Sequence, residues 1–269
     1  MADARNLRRS MLAGKRIAIT GGTSGLGLAL VREMIECGAQ VVFVARRRAG
    51  VDRVATDQKG AHGVVGDISR KEDIHPIALQ ILGALGGIDV LINNASDPGP
   101  LPLSLLADTE GEDFERALAA NVVGPFRLTK ALLGALAVSA RQGRGSVVLN
   151  VSSDAALNPY PGWGAYGASK AALHHLSRIW QAELADDGIR FLSLDPGDMD
   201  TPMHAAMVPD ADRSKLKSPE EAAREFADTI ATALSIGGRT RGEQTAKETL
   251  YDGCQSAGAT AGTGQAAGR

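Results

Sequence analysis

The stretch Arg16–Gly27, RIAITGGTSGLG, decides the fold. A short apolar run of the kind found in buried strands leads into a glycine-rich turn, and a helical pattern begins at Leu26. Gly21 permits the tight turn, Gly25 lets backbone N–H groups approach a pyrophosphate, and Gly27 lets the helix pack closely on the sheet. A glycine-rich turn without a ligand is the alternative, but this turn lies where such folds bind phosphate. The residues expected to line the phosphate site are Gly21, Thr23, Ser24, Gly25, Leu26 and Gly27.

Around this stretch, short β-branched runs alternate with longer helical patterns. Several runs are apolar on both faces, as parallel strands covered by helices are. The alternation predicts βαβ units, and hence one α/β domain with a Rossmann-like, doubly wound parallel sheet. The predicted strands are Arg16–Thr20, Gln40–Ala45, Gly63–Val65, Ile88–Asn93, Ser146–Val151 and Ile189–Leu194. The predicted helices are Leu26–Cys37, Lys71–Leu85, Glu112–Ala140, Ala165–Ala185 and Pro219–Ser235.

Composition excludes several classes of protein. The 269 residues carry a net charge of −2, so no overall field attracts nucleic acid or an anionic membrane. No run of about 18 uninterrupted apolar residues predicts a membrane span. The two cysteines, Cys37 and Cys254, cannot build a disulfide framework. We therefore expect a cytoplasmic protein with a small-molecule partner, and neither a nucleic-acid nor a membrane partner.

The two ends of the chain differ from its middle. Residues 1–14 hold arginines without an apolar run, which predicts a flexible leader before a folded domain of residues 15–236. Residues 237–269 are atypical for such a domain. Residues 255–269 contain five Ala and four Gly without an aromatic residue, a composition that predicts disorder.

The end of the second predicted strand indicates which dinucleotide is bound. The chain has Ala45 followed by three arginines, and no acidic residue that would bind the ribose 2′-hydroxyl of NAD. A guanidinium at Arg46, with Arg47 beside it, can hold a 2′-phosphate by paired, charge-assisted hydrogen bonds. Arg48 is expected to be solvated. The pattern predicts NADP(H) as the cofactor.

Two further loops follow predicted strands at the edge where ligands bind in such sheets. Asp67, followed by Ile68, can accept a hydrogen bond from the adenine amino group or cap the next helix. Asn94 and Ala95 end the fourth strand, where Asn94 can either contact the cofactor or hold the loop. Both alternatives stay open for Asp67 and for Asn94.

A candidate chemical site comes from Ser153 and from the segment Tyr166–Lys170. On a helix, Tyr166 and Lys170 are four residues apart and share one face. A lysine ammonium beside a phenol lowers the phenol pKa, so that the tyrosine can exchange a proton with an alcohol oxygen. A serine hydroxyl at the end of the preceding strand can orient that oxygen. Most isolated Tyr–Lys pairs on helices are surface residues without a chemical role. The neighbouring motifs therefore decide whether this pair forms a site.

These motifs together resemble the short-chain dehydrogenase/reductase family. Thr20–Gly27 matches its TGxxxGxG signature and Tyr166–Lys170 its YxxxK, with Ser153 at the usual interval. Asn93–Ala95 resembles NNAG, and Pro196–Thr201 resembles PGxxxT. The resemblance covers roughly residues 15–235, and five motifs in order are highly specific.

The resemblance implies roles for the matching residues. Tyr166 would be the acid/base, and Lys170 would tune it and bind the nicotinamide ribose. Ser153, preferred over Ser152 on spacing, would polarise the substrate carbonyl. Asn121 would support a water relay to the lysine.

The family also implies a reaction and an assembly. Thr201 would approach the nicotinamide carboxamide or the pyrophosphate, with Pro196 and Gly197 in the same loop. The activity would be NADP(H)-dependent interconversion of a ketone or aldehyde and an alcohol. A homo-oligomer, either dimer or tetramer, would be expected.

The chain departs from the family at two places. Ser96 stands where NNAG has its glycine. The last strand is expected to be degenerate or missing, because only Thr249–Gly253 has a faint strand pattern. Met203 and Trp163 indicate an apolar substrate pocket but do not identify the substrate, and no histidine spacing suggests a metal site.

Two other functions compete with the reductase. A non-catalytic NADP(H)-binding redox sensor or scaffold would keep the nucleotide site, but it would not need Ser153, Tyr166 and Lys170. Epimerisation or dehydration of a sugar nucleotide also uses YxxxK, but those relatives generally have a longer C-terminal substrate domain.

Overall fold

A computed structural model describes residues 2–237, and in it six parallel strands form one sheet in the order β3-β2-β1-β4-β5-β6. The strands are β1 Arg16–Thr20, β2 Gln40–Ala45, β3 Ala61–Val65, β4 Val90–Asn93, β5 Ser146–Val151 and β6 Ile189–Leu194. The helices are α1 Ala2–Leu12, α2 Gly25–Glu36, α3 Arg48–Asp57, α4 Lys71–Leu85, α5 Gly111–Leu118, α6 Gly124–Arg141, α7 Gly164–Leu184, α8 Pro202–Met207 and α9 Pro219–Gly237. The predicted Rossmann-like α/β fold is confirmed.

The strand order reverses at β1, which pairs with β2 on one side and β4 on the other. The crossovers from β1 to β2 and from β4 to β5 therefore pass on opposite sides of the sheet. At such a reversal the loops leave the carboxyl ends of β1 and β4 in opposite directions, and a crevice opens between them. The fold thus brings the glycine-rich turn and the Asn94 loop to the same crevice.

Two apolar layers cover the sheet. One face packs side chains such as Phe43 and Ile19 against helices α2 and α9. The other face packs Leu91 and Val148 against α4 and α6. Burial on both faces explains why the strands have continuous apolar runs instead of alternation.

Residues 2–12 form helix α1, and not the flexible leader expected from the sequence. Leu12 is fully buried in the same apolar layer as α2 and α9. The Arg8 guanidinium lies 3.2 Å from Glu33 on α2 and donates a hydrogen bond to the Arg224 carbonyl on α9. The sequence did not predict this helix, because one buried leucine and one buried arginine do not form an apolar run. At the other end, the expected degenerate last strand and the expected disorder of 255–269 lie outside the described residues.

One helical run, residues 111–141, is long and apolar enough to cross a membrane by length and composition. In the structure it is divided by a π-helical turn, Ala119–Val123. Leu128, Leu132 and Leu136 of α6 are fully buried against the sheet. The run therefore packs as a core helix of this domain.

A buried carboxylate lies at the amino end of β4, at the opposite end of the strands from the crevice. Asp89 has no exposed surface, and its oxygens accept hydrogen bonds from the Arg16 and Arg144 guanidinium groups. The Ser139 hydroxyl and the Arg16 backbone N–H also donate to it, at 2.6 and 2.9 Å. Burial by itself raises the pKa of Asp89, but the hydrogen bonds from Arg144, Arg16 and Ser139 outweigh burial and hold that pKa far below its ordinary value. This anion joins β1, β4 and α6.

Candidate active site

A cleft of about 370 Å³ opens at the carboxyl ends of β1, β2, β4 and β5. Each residue predicted to bind the cofactor lines this cleft, with the exception of Gly197. The lining residues of that set are Gly21, Thr23, Ser24, Gly25, Leu26, Gly27, Arg46, Arg47, Asp67, Ile68, Asn94, Ala95, Tyr166, Lys170, Pro196 and Thr201. The fold thus brings together residues spread over 180 positions of sequence.

The glycine-rich turn has the tight geometry that its sequence predicts. Gly21 adopts φ +74°, a left-handed conformation that favours glycine, and its N–H donates to the Val44 carbonyl at 2.8 Å. A Cβ on Gly27 would lie 2.1 Å from the Gly21 carbonyl oxygen. No side chain larger than hydrogen fits at Gly27 without displacing the turn.

Asn94 fastens this turn to β4. Its side-chain amide donates to the Thr20 carbonyl at 2.9 Å, and its backbone N–H donates to the Thr20 hydroxyl at 3.0 Å. The Ala95 N–H shares the same hydroxyl at 3.0 Å. Of the two alternatives left open for Asn94, the structure therefore gives it a structural contact, at a position where it also lines the cleft.

The first turn of α2 fits a phosphate. Ser24 at the N-cap is extended, and its side chain caps none of the helix N–H groups. Uncapped N–H groups at a helix N-terminus, together with the helix dipole, form an anion site. Arg46 and Arg47 are exposed and line the same cleft. These N–H and guanidinium donors, next to the tightly packed glycine-rich turn, fit the phosphates of a dinucleotide.

Asp67 lines the cleft and also holds its own loop. One carboxylate oxygen accepts hydrogen bonds from the Ser69 N–H and hydroxyl, at 2.9 and 2.7 Å. Its backbone N–H donates to Asp73 in the first turn of α4. Asp67 thus holds the turn before α4 but does not cap that helix, whose N-cap residue is Arg70 and which has no side-chain cap hydrogen bond. Ile68 beside it is buried.

Tyr166 and Lys170 lie on one face of α7, as their spacing predicts, and both are buried. The Lys170 ammonium donates to the Val151 carbonyl at 2.8 Å and lies 5.4 Å from the centre of the Tyr166 ring. Burial lowers the pKa of Lys170 to about 8. Burial also raises the pKa of Tyr166 to about 12. The expectation that Lys170 makes this phenol more acidic is therefore not met in the structure, because desolvation of the phenol dominates. At neutral pH Tyr166 holds its proton.

Ser152 and Ser153 follow β5 at the edge of the site. A side-chain hydrogen bond with Ser153 opposes the rise in the Tyr166 pKa. The Ser153 oxygen accepts from the Ala155 N–H at 3.2 Å, and its hydroxyl lies 3.2 Å from a carboxylate oxygen of Asp154. Ser152 is buried and lines the cleft. Ser153 is not among the residues that line the cleft, so the preference for Ser153, made on spacing, stays a prediction.

Asn121 lies in the π-helical turn and is buried. Its amide donates to the Ser169 hydroxyl and to the Asp97 carbonyl, each at 2.8 Å. Its side-chain oxygen accepts from the Asp97 N–H at 2.7 Å and from the Ser96 hydroxyl at 3.0 Å. Asn121 thus connects the loop after β4 with α7, instead of contacting Lys170 directly.

Apolar side chains pack around Tyr166. Met207 is buried with Tyr166, and Met203 and Trp163 pack against them. The Trp163 ring lies edge-on to Tyr166, with 5.9 Å between ring centres. His204, also on α8, is directed toward Asp198 with 3.7 Å between nitrogen and oxygen. Tyr166 is therefore bordered by sulfur and aromatic surface.

Comparison with known proteins agrees with this geometry. Residues 15–212 match the family described as short chain dehydrogenase. The chain is a member of the short-chain dehydrogenase family. It is therefore an oxidoreductase of the hydride-transfer type.

Individual relatives cover most of this dehydrogenase. It is 34% identical over 235 residues to an uncharacterized oxidoreductase of Mycobacterium tuberculosis, covering 85% of this chain and 67% of the relative. It is 35% identical over 201 residues to the human dehydrogenase/reductase SDR family member 4, covering 73% and 70%. A crystal structure of 3-ketoacyl-(acyl-carrier-protein) reductase from Brucella melitensis, complexed with NADH, superposes with a TM-score of 0.77 at 31% identity. That match covers 84% of this chain and 95% of the reductase.

Sequence analysis missed several polar residues of this dehydrogenase's site. Ser169 lies between Asn121 and the Tyr166 carbonyl, to which it donates at 2.7 Å. Asp154 and Asp195 act on the Tyr166 phenol through their charge. Their positions directly after Ser153 and before Pro196 were the available signals. Among residues 2–237, no group of three His, Cys, Asp or Glu side chains is placed to hold a metal ion.

Proposed function

We propose that this dehydrogenase interconverts a ketone or aldehyde with the corresponding alcohol, using NADP(H). The observation that carries the proposal is the pair of buried side chains Tyr166 and Lys170, which lie next to each other and line a cleft that fits a dinucleotide. The nicotinamide supplies or accepts the hydride when it is bound.

Each residue of this group has a role that follows from its contacts. The Ser153 hydroxyl positions the substrate oxygen next to the phenol. Tyr166 donates its proton to that oxygen in the direction of reduction and takes it back in oxidation. Lys170, buried as a cation next to the phenol, stabilises the phenolate that remains after proton transfer. Asn121 orders the loop after β4 against α7, and the apolar surface around Met203 and Trp163 accepts the body of the substrate.

The preference for NADP(H) is argued from Arg46 and Arg47, at the end of β2. Both line the cleft of the glycine-rich turn, and Arg46 has no acidic neighbour in sequence. The Brucella reductase is described in complex with NADH, which gives no support for NADP(H). The proposed preference therefore rests on Arg46 and Arg47 of this chain. Arg53 donates to the Thr23 carbonyl at 3.1 Å and holds the turn next to them.

Cofactor binding is testable without knowledge of the substrate. Fluorescence titration of the protein with NADPH and with NADH should give tighter binding of NADPH. Arg46→Ala should raise the NADPH Kd by about 10-fold or more, the loss expected for a charge-assisted contact, and leave the NADH Kd unchanged. Arg48→Ala is the matched control, because that side chain is 75% exposed and pairs with Asp52 one helical turn away. Equal affinities for the two cofactors would contradict the preference.

Catalysis is tested by NADPH oxidation against a panel of ketones, aldehydes and quinones. Tyr166→Phe removes the proton donor and should reduce kcat by about 100-fold or more. Tyr160→Phe removes an exposed phenol six residues away and should change kcat by at most a few-fold. Turnover that survives Tyr166→Phe would refute the mechanism. Nucleotide binding without turnover on any carbonyl would favour the non-catalytic sensor.

The homo-oligomer and the cytoplasmic location remain proposals. Size-exclusion chromatography with light scattering should give a mass of two or four chains. A single-chain mass at micromolar concentration would contradict the proposed assembly.

A further inference from the structure

Ser96 stands where the family's NNAG pattern has its glycine, and its hydroxyl has a defined partner. The residue follows β4 and lines the cleft together with Tyr166 and Lys170. Its hydroxyl donates to the side-chain oxygen of Asn121 at 3.0 Å. A glycine has no group that can make this contact. The departure from the motif therefore adds one hydrogen bond to a buried amide.

The Ser96 hydroxyl completes the hydrogen bonds of the Asn121 side chain. A side-chain amide can donate twice and accept twice. The oxygen accepts from the Asp97 N–H at 2.7 Å as well as from Ser96. The NH₂ group donates to the Asp97 carbonyl and to the Ser169 hydroxyl, each at 2.8 Å. Protein groups thus fill all four positions of the amide, one of them only because residue 96 is a serine.

A continuous chain of hydrogen bonds leads from Ser96 to the backbone of Tyr166. Asn121 donates to the Ser169 hydroxyl, which in turn donates to the Tyr166 carbonyl at 2.7 Å. Asn121 and Ser169 are buried, whereas Ser96 is half-buried and borders the cleft. The chain therefore ties the loop after β4 to the first turn of α7, which carries the phenol.

The position of Ser96 at the cleft determines what can replace its hydroxyl. Without that hydroxyl, the Asn121 oxygen has room for one more donor. When residue 96 has no side chain, a water molecule from the cleft can take this place, and such a bridge is nearly as favourable as a direct hydrogen bond. With alanine, the Cβ still occupies the space next to the oxygen, so neither a hydroxyl nor water fills the position.

We propose that Ser96 is a positioning residue for Tyr166: its hydroxyl takes the place at Asn121 that a glycine leaves open to water. The contact fixes Tyr166 through the buried chain of hydrogen bonds. The inference rests on the proposed function, because the position of this phenol affects turnover only if Tyr166 exchanges a proton with the substrate oxygen. Proton transfer needs hydrogen-bond distance between the two oxygens, so a small displacement of the donor slows the reaction.

Two substitutions of Ser96 test this role by kcat for carbonyl reduction. Ser96→Ala leaves one position of a buried amide unfilled and should lower kcat by about 10-fold, the effect of one lost hydrogen bond. Ser96→Gly admits water to that position and should lower kcat by at most about 3-fold. The KM for NADPH should change little in both variants, because the glycine-rich turn is untouched. Ser104→Ala is the matched control, since Ser104 also lies between β4 and α5 and its hydroxyl pairs with Thr109.

A purely structural role of Ser96 predicts the opposite order of the two variants. Glycine loosens the backbone, because it has more conformational freedom than alanine. If Ser96 only stiffened its loop, Ser96→Gly would lower kcat more than Ser96→Ala. That order, equal kcat values for the two variants, or an unchanged kcat in Ser96→Ala would overturn the proposal.

The path through Asn121 is tested by a double-mutant cycle. Ser169→Ala removes the acceptor on the other side of the amide and should lower kcat about as much as Ser96→Ala. If both serines act through Asn121, the double variant should lose much less than the product of the two separate factors. A double variant that loses the full product would show that the two serines act independently, and the chain would be refuted.

A further readout does not depend on turnover. NMR of the isotope-labelled free protein follows the exchange of the Asn121 side-chain NH₂ protons with water. Exchange should rise by about 10-fold in Ser96→Ala, by less in Ser96→Gly, and not at all in Ser104→Ala. If the protein reduces no carbonyl but this order holds, the proposed function is wrong and the contact of Ser96 with Asn121 stands. Unchanged exchange in Ser96→Ala refutes the role of Ser96 whatever the enzyme does.

Discussion

Asp89→Asn is a substitution for which the structure predicts a large loss of stability. The side chain is fully buried, and the Arg16 and Arg144 guanidinium groups lie 2.6 and 2.7 Å from its oxygens. Asparagine keeps the shape of the side chain but removes its charge. It also replaces one acceptor oxygen with an NH₂ group, which faces the same hydrogen-bond donors. Removing one partner of a buried ion pair costs about 3–5 kcal/mol, because the remaining charges stay desolvated. Such a loss is a large part of the 5–15 kcal/mol that typically stabilises a domain.

The pH dependence gives this prediction a second test. The pKa of Asp89 lies far below its ordinary value in the folded protein. A depressed carboxyl pKa stabilises the fold above the unfolded pKa, about 3.9, and this contribution is lost as pH falls toward the folded pKa. The free energy of unfolding of the wild type should therefore decline below about pH 5. The difference between wild type and Asp89→Asn should shrink over the same range.

Urea unfolding followed by circular dichroism, at pH 7 and pH 4 and at one protein concentration, measures both effects. Asp52→Asn is the control, since Asp52 is 63% exposed and pairs with Arg48 across one helical turn. That substitution should change the free energy of unfolding by less than about 0.5 kcal/mol. The cofactor Kd should be unaffected by Asp89→Asn, because Asp89 lies at the amino ends of the strands and the cleft lies at their carboxyl ends. A destabilisation below about 1 kcal/mol at pH 7 would refute the assignment of Asp89 as a structural anion.

Two further substitutions test the turn and the first helix. Gly27→Ala forces a methyl group to 2.1 Å from the Gly21 carbonyl; it should weaken NADPH binding by about 10-fold or more in fluorescence titration and cost about 1–3 kcal/mol. Gly83→Ala, where a Cβ meets nothing within 4 Å, should leave binding unchanged and stabilise α4 by up to about 1 kcal/mol. Leu12→Ala should cost about 2–5 kcal/mol in urea unfolding because Leu12 is fully buried. Leu7→Ala, at a side chain 42% exposed, should cost less than about 1 kcal/mol, and equal losses for the two leucines would contradict the docked position of α1.

The sheet could be predicted because its strands are buried on both faces. Four of the six strands, β1, β2, β5 and β6, begin and end at the residues predicted from the apolar runs. The errors fall where the pattern is weak. The strand β3 begins two residues before the predicted Gly63, because backbone pairing with β2 extends over Ala61 and His62. Helix α3 was not predicted, since it begins within the arginine run and buries little beyond Val51 and Val54.

The sequence could predict which residues form the candidate site, but not the direction in which the pKa of Tyr166 shifts. Tyr166 and Lys170 were found because a spacing of four residues brings side chains together on any helix. The direction of the Tyr166 pKa shift depends on how deeply α7 is buried and on which charges other loops bring near, and a local pattern contains neither.

Helix α1 also affects how the chain folds during synthesis. Its Arg8 donates to the Arg224 carbonyl on α9, a contact across 216 positions of sequence. At about 5–20 residues per second, a ribosome needs roughly 10–40 s to make the residues between them. During that interval the apolar surface of α2 that α9 covers lacks this partner. Helix α1 can therefore complete its contacts only after α9 has been made, which makes the closing of this apolar layer a late event in folding.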